Sequence, residues 1–590
     1  MMGSGAGAAE ALCRRGLELL QAGQPQAAGA LLEQALAADP QRFEALYVLG
    51  ALCAQGGEAA RGADLLRRAA AVNPTSGPAH SLLGAALLEL KRPSEALAPL
   101  RRAIELNPAD AEAWFSQGLA LRSLGQPDGA LASLDQAAAL APDFAEAHNC
   151  RGTALHELGR TAEALAAHES ALALNPALAE AHNNRGVVLQ ALGRTEAAAA
   201  AYERAIALGA GDAATHNNLG LALCELQRFE AALASFDRAI ALDPGDAWAH
   251  SNRGLALGEQ DRLEDGIASL DAAVALSPQH RDALANRSYL LLMAGRFEEG
   301  WAAYEHRMGR EDPQGPAFAA AHPWRGEALG PDHRLFVHHE QGFGDTIQFS
   351  RYVKLLAARG VEADFSVQAP LAPLLRQLSP SGRIFAGAEH PERFDYYCSQ
   401  HSLPLLLGTR LETIPAWPQY LEADPERRRR FEARLGPSTQ PRIGLAWSGS
   451  PTHKNDRNRS LRFEQLAPLL LRPAQWVCLQ KDVRPADAAA LAACGEVTFL
   501  GEALGDFADT AALIDLMDLV VTVDTSIAHL AGALGKPVWI LLPYIPDWRW
   551  MLGRADSPWY PSARLFRQPS RGDWASVIEA VKGELAHVRP

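Results

Sequence analysis

Proline returns at positions 40, 74, 108, 142, 176, 244 and 278, in steps of 34 residues or twice that. A period of this length demands an array of small stacked units; one closed core would not repeat. Counting back from each proline, Gly16, Gly50, Gly84, Gly118, Gly152, Gly186, Gly220, Gly254 and Ser288 form one column. Twelve residues later come Ala28, Gly62, Ala96, Ala130, Ala164, Ala198, Ala232, Gly266 and Gly300. Small side chains at these two places let paired helices cross closely, and the proline stops the second helix of each pair. Ala210 fills the one gap in the proline column without shifting the register.

These columns resemble the tetratricopeptide repeat, with nine units over about residues 9–312. The resemblance implies a superhelix with a concave binding groove. Two residues before the small column stand Asn184, Asn218, Asn252 and Asn286. A carboxamide both donates and accepts, so a ladder of them can hold a peptide backbone without reading its sequence. The column resembles the asparagine ladder of O-linked N-acetylglucosamine transferases, which implies an extended polypeptide acceptor. Asparagine is also common in the consensus of this repeat. The column breaks upstream, at Val48, Leu82, Ser116 and Cys150, where a more apolar partner is suited. Gly295–Arg307 reads as a terminal repeat, and 308–333 as a linker pinned by Trp324.

From Arg334 the pattern alternates short apolar runs with helical stretches. Arg334–His338, Val361–Val367, Arg383–Phe385 and Asp395–Tyr397 read as strands, with a helix over Thr346–Arg359. After Pro441 a second set begins: strands over Arg442–Trp447, Gln475–Leu479, Glu496–Leu500, Leu519–Val523 and Val538–Leu542. Its helices run over Leu461–Leu470, Pro485–Ala493, Asp509–Leu516, Ile527–Leu534 and Trp574–Val588. Two βα sets predict two doubly wound sheets with ligands at the carboxyl ends of the strands. Two facing Rossmann-like halves resemble the GT-B arrangement of glycosyltransferases. The expected fold is an α-solenoid followed by an α/β GT-B domain. Its divisions are 1–312 for the repeats, 313–333 for the linker, 334–440 for the first half and 441–590 for the second.

Three stretches carry candidate chemistry. VDTSIAHLAGALGKP (Val523–Pro537) runs from a buried strand through Asp524, Thr525 and Ser526 into a helix containing His529. Unpaired N–H groups and the positive end of a helix dipole suit a diphosphate there. A plain capped helix explains the same residues. In GFGDTIQF, Asp345 reads as a general base or as the cap of the helix from Thr346, and Gly342 and Gly344 as allowing backbone to approach a ligand. In GLAWSGSPTHKNDRNRSLRF, Ser448 and Gly449 would form a turn. Lys454, Arg457 and Arg459 would neutralise a departing phosphate. Lys481 and Arg549, the latter beside Asp547 in PDWRWML, are further candidate donor contacts. One of His338 and His339 would point into the cleft. The Asp345 loop and the Asp524–His529 stretch are similar to the loop and DTG-type signature of heptosyltransferase-type enzymes. Here Ser526 stands in place of the usual glycine.

Composition narrows the classes. A formal net charge of −14 argues against a broad nucleic-acid surface. Seven scattered cysteines, without a CxxC pair, argue against a disulfide framework or zinc site. The start, MMGSGAGAAEALCRR, lacks the apolar core of a secretory signal, and no run approaches the roughly 20 apolar residues of a membrane span. These features predict a cytoplasmic chain. No metal motif and no DxD pair appears, so a metal-independent transferase is expected, with no cofactor beyond the nucleotide-sugar donor.

The expectation is a protein O-glycosyltransferase acting on Ser or Thr of a captured polypeptide. The architecture resembles repeat-fused bacterial enzymes, including those that modify flagellin, which implies flagellin or its chaperone as partner. A nonulosonic acid such as pseudaminic acid, from a CMP donor, is one candidate sugar; UDP-, GDP- and ADP-sugars are others. Two alternatives remain open on the sequence: a glycolipid or polysaccharide transferase, and a scaffold or chaperone with a decayed transferase domain.

Overall fold

The computed structural model describes residues 3–307, 315–330, 332–378, 382–453 and 455–587, with side chains from residue 7 onward. The chain divides into two compact units, Met1–Pro244 and Gly245–Pro590.

The first unit is a run of helix pairs, from Gly3–Gln21 with Pro25–Ala38 to Ala213–Glu225 with Phe229–Leu242. The crossing of each pair explains the small column. A Cβ added to Gly118, Gly186 or Gly220 would lie about 2.5–2.6 Å from Leu134, Tyr202 or Phe236, each 16 residues on. Large side chains of the second helix thus press onto bare backbone of the first. The aromatic column four residues before the glycine closes each turn: Trp114 Nε1 donates to Pro108 O (3.0 Å), and the rings of His148 and His182 make the same contact with Pro142 O and Pro176 O. Where proline is missing, helix Thr195–Ala207 ends and Gly209 turns the chain with φ +100°.

The second unit opens with two more helix pairs, Ala247–Glu259 with Leu263–Leu276 and Arg281–Met293 with Phe297–Tyr304. The compact division thus falls two repeats before the change in sequence pattern. The terminal repeat shares one core with the strands and helices C-terminal to it. Phe297, Trp301 and Tyr304 pack with Phe349, Trp548 and Trp559. Arg307 is clamped on Glu340 at 2.6 Å, with side chains only 3% and 6% exposed.

Beyond the repeats lie two parallel sheets. The first contains β1 (His322–Pro323), β2 (Leu335–His338), β3 (Ala363–Val367), β4 (Ile384–Ala386) and β5 (Tyr396–Ser399), in the order β1-β5-β2-β3-β4. The second contains β6 (Arg442–Ala446), β7 (Gln475–Cys478), β8 (Val497–Phe499), β9 (Leu519–Val523), β10 (Val538–Leu542) and β11 (Ala563–Arg567), in the order β11-β10-β9-β6-β7-β8. Counted within its own sheet the second order is 6-5-4-1-2-3, the dinucleotide-binding order of Rossmann sheets. β9 is buried at every position, as a central parallel strand covered on both faces must be.

Several elements differ from the expectation. Part of the expected linker belongs to the first sheet: His322 and Pro323 pair with Tyr396 and Tyr397, and Trp324 is buried beside them. Met308–Gln314 lie outside the described residues. The helix expected from Thr346 starts at Phe343, because Gly342 caps it and glycine is tolerated in a first turn. The stretch expected as helix Leu461–Leu470 is a 3-10 turn, Phe463–Leu466, then a short helix, Ala467–Leu470. β11 has no counterpart in the expected strands.

Candidate active site

In a doubly wound sheet the chain departs in opposite directions from two neighbouring strands, and crevices form at their carboxyl ends. In the second sheet these strands are β6 and β9; in the first, β2 and its neighbour β5, the last strand of that sheet, end beside one another. β2 delivers Glu340 and Asp345, and β5 delivers Ser399, Gln400 and His401. β6 delivers Trp447–Ser450, and β9 delivers Asp524, Thr525 and Ser526. Helices Phe343–Ala358 and Ser526–Ala533 begin at these two points and cross. A Cβ on Gly344 would stand 2.8 Å from His529 Cδ2 and 3.5 Å from Ser526 Cα. Gly344 therefore serves the contact between two helix starts.

Asp345 lies at the third position of its helix, where Oδ2 accepts from the N–H of the cap residue Gly342 at 3.0 Å; glycine has no side chain to return a bond, so this is one half of a capping box, and Asp345 is not the cap itself. Its other oxygen, Oδ1, accepts from Arg549 Nη2 at 2.5 Å. Burial raises its pKa, but Arg549, His401 and His529 together outweigh that and hold the carboxyl well below the usual range.

Arg549 is buried and fully engaged. Nε donates to Gln348 Oε1 (2.6 Å) and Nη1 to Asp547 Oδ1 (2.8 Å), while the guanidinium stacks 4.3 Å from the Trp548 ring. Asp547 caps the turn Trp548–Trp550, fixing the guanidinium it binds. Asp524 is also buried. Burial first, then the charge of Asp547, push its carboxyl up to about 6 against the pull of Arg459 and Arg549. Three carboxylates and two arginines thus meet where the two helices start.

The other candidate residues divide. Arg459 reaches the site: Nη1 donates to Asp524 O at 2.9 Å across the gap between β6 and β9. It stands on a short helix, Asp456–Arg459, in the stretch read as a loop. Thr525 caps its helix, its hydroxyl accepting from Ile527 N–H at 3.3 Å, and Ser526 is the first helical residue. Ser448 exchanges hydrogen bonds with the Gln480 side chain, and Gly449 lies under the Arg459 guanidinium, where a Cβ would meet Nη2 at 2.7 Å. Lys481 is exposed and its Nζ approaches Gly505 O at 3.4 Å. Lys454 lies outside the described residues. His529 bonds Tyr560 Oη (2.9 Å) and stacks on Trp550, so its partner is outside its own helix; burial pushes its imidazole down to about 3, leaving it neutral. His339 turns to Ser366, ring and backbone both bonding its hydroxyl.

The four asparagines are half-buried. In the first unit, Asn184 Nδ2 donates to Asn149 Oδ1 (3.1 Å) of the preceding repeat. In the second unit, Asn286 Nδ2 approaches Ser251 Oγ (3.4 Å) in the same sense. One face of each of these two amides therefore ties neighbouring repeats together. One turn beyond Asn286, Tyr289 donates its hydroxyl to Pro546 O (3.1 Å), next to Asp547.

Sequence reasoning missed Tyr289, Gln480, Arg484 and His401. Arg484 binds Asp456 (2.6 Å) and Gly449 O (2.8 Å), holding the Arg459 turn. His401 Nε2 lies 3.9 Å from Asp345 Oδ1, and its Nδ1 lies 3.7 Å from Glu340 Oε2. Only the pairing of β2 with β5 makes that proximity visible. Among the described residues no helix is long and apolar enough to cross a membrane.

Comparison with known proteins places these features. Glycosyltransferase family 9 (heptosyltransferase) matches residues 476–550, from β7 through Arg549. Tetratricopeptide repeat families match 19–86, 100–132, 118–159, 152–193, 179–211, 220–261 and 251–329. Protein FlbA of Caulobacter vibrioides is 29% identical over 310 residues, covering 48% of this chain; the chain spans about half, 51%, of that relative's length. Among solved structures, the APC/C hetero-tetramer Cut9–Hcn1 is 21% identical with TM-score 0.38, covering 46% of this chain and 55% of that one. YrrB, a TPR protein with an unusual peptide-binding site, is 28% identical with TM-score 0.28, covering 31% of this chain and 95% of that one. The chain therefore joins tetratricopeptide repeats to a segment of the glycosyltransferase family 9 type.

Proposed function

We propose that this chain is a protein O-glycosyltransferase with a GT-B catalytic part, moving a sugar from a nucleotide donor to Ser or Thr of a polypeptide held by the repeats. The carrying observation is the contact of Arg549 with Asp345 where two helix starts cross. The family 9 match and the repeats support the reading. The functional division is residues 1–312 for acceptor capture and 334–440 and 441–590 as the two halves of the transferase, joined by 313–333, whose His322–Pro323 strand belongs to the first sheet.

In this reading the donor phosphates lie over the N–H groups that begin helix Ser526–Ala533, with Arg459 and Arg549 as counter-charges. Asp524 and Asp547 accept from sugar hydroxyls, and Ser448, Gly449 and Lys481 border the nucleoside. The acceptor oxygen bonds to the anomeric carbon as the carbon–phosphate oxygen bond breaks. Asp345 receives the hydroxyl proton, and the arginines and helix start stabilise the charge on the departing phosphate. No step in this scheme is assigned to a metal ion. In this reading Asn184 and Asn218 of the first unit, and Asn252 and Asn286 of the second, hold acceptor backbone. A flagellin-type secreted protein, made in the cytoplasm before export, is the acceptor we favour, and a nonulosonic acid such as pseudaminic acid is one candidate sugar.

The test is intact-mass analysis of flagellin co-produced with this chain. A mass increase of one or more sugar units that disappears with Asp345→Asn supports the reading. An unmodified flagellin alongside a modified different macromolecule shifts the acceptor class. Transfer that survives Asp345→Asn removes that residue as base.

A further inference from the structure

We propose that His401 is the positioning residue behind Asp345, and that the pair becomes a working dyad when Arg549 leaves Asp345 for a phosphate. The inference rests on the transferase reading and deepens it by adding a residue and a trigger.

His401 is held in an unusual way. Its side chain is 0% exposed and neither ring nitrogen has a hydrogen-bond partner. The ring is packed 4.6 Å from Phe349 and 6.1 Å from Tyr304, so its plane is fixed by neighbours from the first-sheet helix and the terminal repeat. Each nitrogen faces a carboxylate: Nδ1 toward Glu340 at 3.7 Å, Nε2 toward Asp345 at 3.9 Å. Glu340 is itself committed to Arg307, through two bonds of 2.6 and 2.8 Å. Glu340, Asp345 and Arg307 are the charged groups that bear on this imidazole. A buried polar ring with both nitrogens unbonded carries a free-energy penalty that its packing alone does not explain.

The oxygen facing His401 is Asp345 Oδ1, the one that Arg549 occupies. Arg549 and His401 therefore compete for one lone-pair region. A phosphate near Arg459 and the Ser526 helix start competes for Arg549 in turn. Once Arg549 turns to it, Oδ1 can close the remaining distance to Nε2.

The protons balance along this route. The acceptor hydroxyl gives its proton to Asp345 while the new glycosidic bond forms and the phosphate departs with the electron pair of the broken bond. The proton passes from Asp345 to His401, whose imidazolium lies between two carboxylates. With Arg549 turned to the phosphate, the imidazolium stands between the carboxylates of Asp345 and Glu340, whose negative charges favour holding the proton on the ring. The resulting charge is matched by Glu340.

The test uses the full chain carrying nitrogen-15 histidine, with the His401 ring signals assigned by their loss in His401→Gln. Inorganic pyrophosphate is the probe, and calorimetry records whether it binds. The expected result is a rise of about one pH unit in the His401 titration midpoint when pyrophosphate is bound, because the ring gains a carboxylate partner. The rise should vanish in Asp345→Asn. Arg549→Gln should produce a similar rise without pyrophosphate. Bound pyrophosphate with an unmoved midpoint, or an equal rise in Asp345→Asn, overturns the inference and leaves the donor site standing. Absence of binding heat overturns the donor site, and this inference with it. If Arg549→Gln does not fold, the pyrophosphate comparison decides.

Discussion

Arg549 and Asp345 are 204 residues apart in the chain, yet one guanidinium nitrogen of the first lies 2.5 Å from a carboxylate oxygen of the second. This contact ties the segment after β2 of the first sheet to the segment after β10 of the second. It also joins Asp345 to Asp547, since Arg549 holds both. Removing the arginine would leave two carboxylates, 20% and 30% exposed, without their shared cation. Arg549→Ala is predicted to lower stability by about 1–3 kcal/mol, because the arginine is buried but its carboxylates are partly open to water. Arg549→Lys, keeping the charge without the fork, should fall between. Denaturant unfolding followed by tryptophan fluorescence measures both.

Gly342 and Gly344 make a sharp internal control. A Cβ at Gly344 would meet His529 at 2.8 Å, against a ring already fixed by Tyr560 and Trp550. At Gly342 the nearest atom is the Asp345 carboxylate at 3.2 Å, and φ is −87°, open to any residue. Gly344→Ala is expected to cost about 1–3 kcal/mol as overpacking. Gly342→Ala should cost less, about 0.5–1 kcal/mol, as a weakened cap. Equal effects would mean that the two helix starts do not cross as described.

The two site carboxylates have opposite pH signatures. Asp345 has a lowered pKa in the folded chain, so its stabilisation is present above about pH 4, the unfolded value, and is lost as pH falls through its lower folded value. Asp524 is raised to about 6, so the folded chain prefers it protonated. Its contribution is present below about pH 4 and is lost as pH rises to about 6. Asp524→Asn should therefore be more stable than the parent above pH 6, by roughly 2–3 kcal/mol, and the gap should close toward pH 4. Asp345→Asn should be less stable at neutral pH, with the gap closing in acid. Unfolding curves at pH 4, 6 and 8 read the signs.

In the repeats, Asn184→Ala removes a bond to Asn149 in the preceding unit and should cost about 1 kcal/mol. Replacing all four ladder asparagines is predicted to weaken capture of an unstructured flagellin segment at least tenfold while leaving nucleotide binding unchanged. Fluorescence anisotropy with a labelled segment measures the first, and calorimetry the second. Unchanged capture would leave the amides with a structural role alone.

The repeats were legible because a proline and a glycine return on a fixed period, and each has one physical task. The strand ends of the second sheet were legible for a similar reason: a continuous apolar run such as Leu519–Val523 stops abruptly at Asp524. The start of helix Phe343–Ala358 was not, because two glycines look like a loop while a first turn tolerates them. His401 was out of reach. It sits in the unremarkable run Ser399–Ser402, and acquires its two carboxylate neighbours only through the pairing of β5 with β2. Tyr289 and Arg307 are similar, since helix periodicity gives their face but not its partners.

The most direct measurement is calorimetry of the full chain against UDP-, GDP-, ADP- and CMP-sugars, repeated with Arg459→Ala. The account predicts that at least one donor binds and that its affinity falls at least tenfold in the variant, because Arg459 stands at Asp524 beside the Ser526 helix start. No heat from any of the four, or equal affinity with and without Arg459, would contradict it.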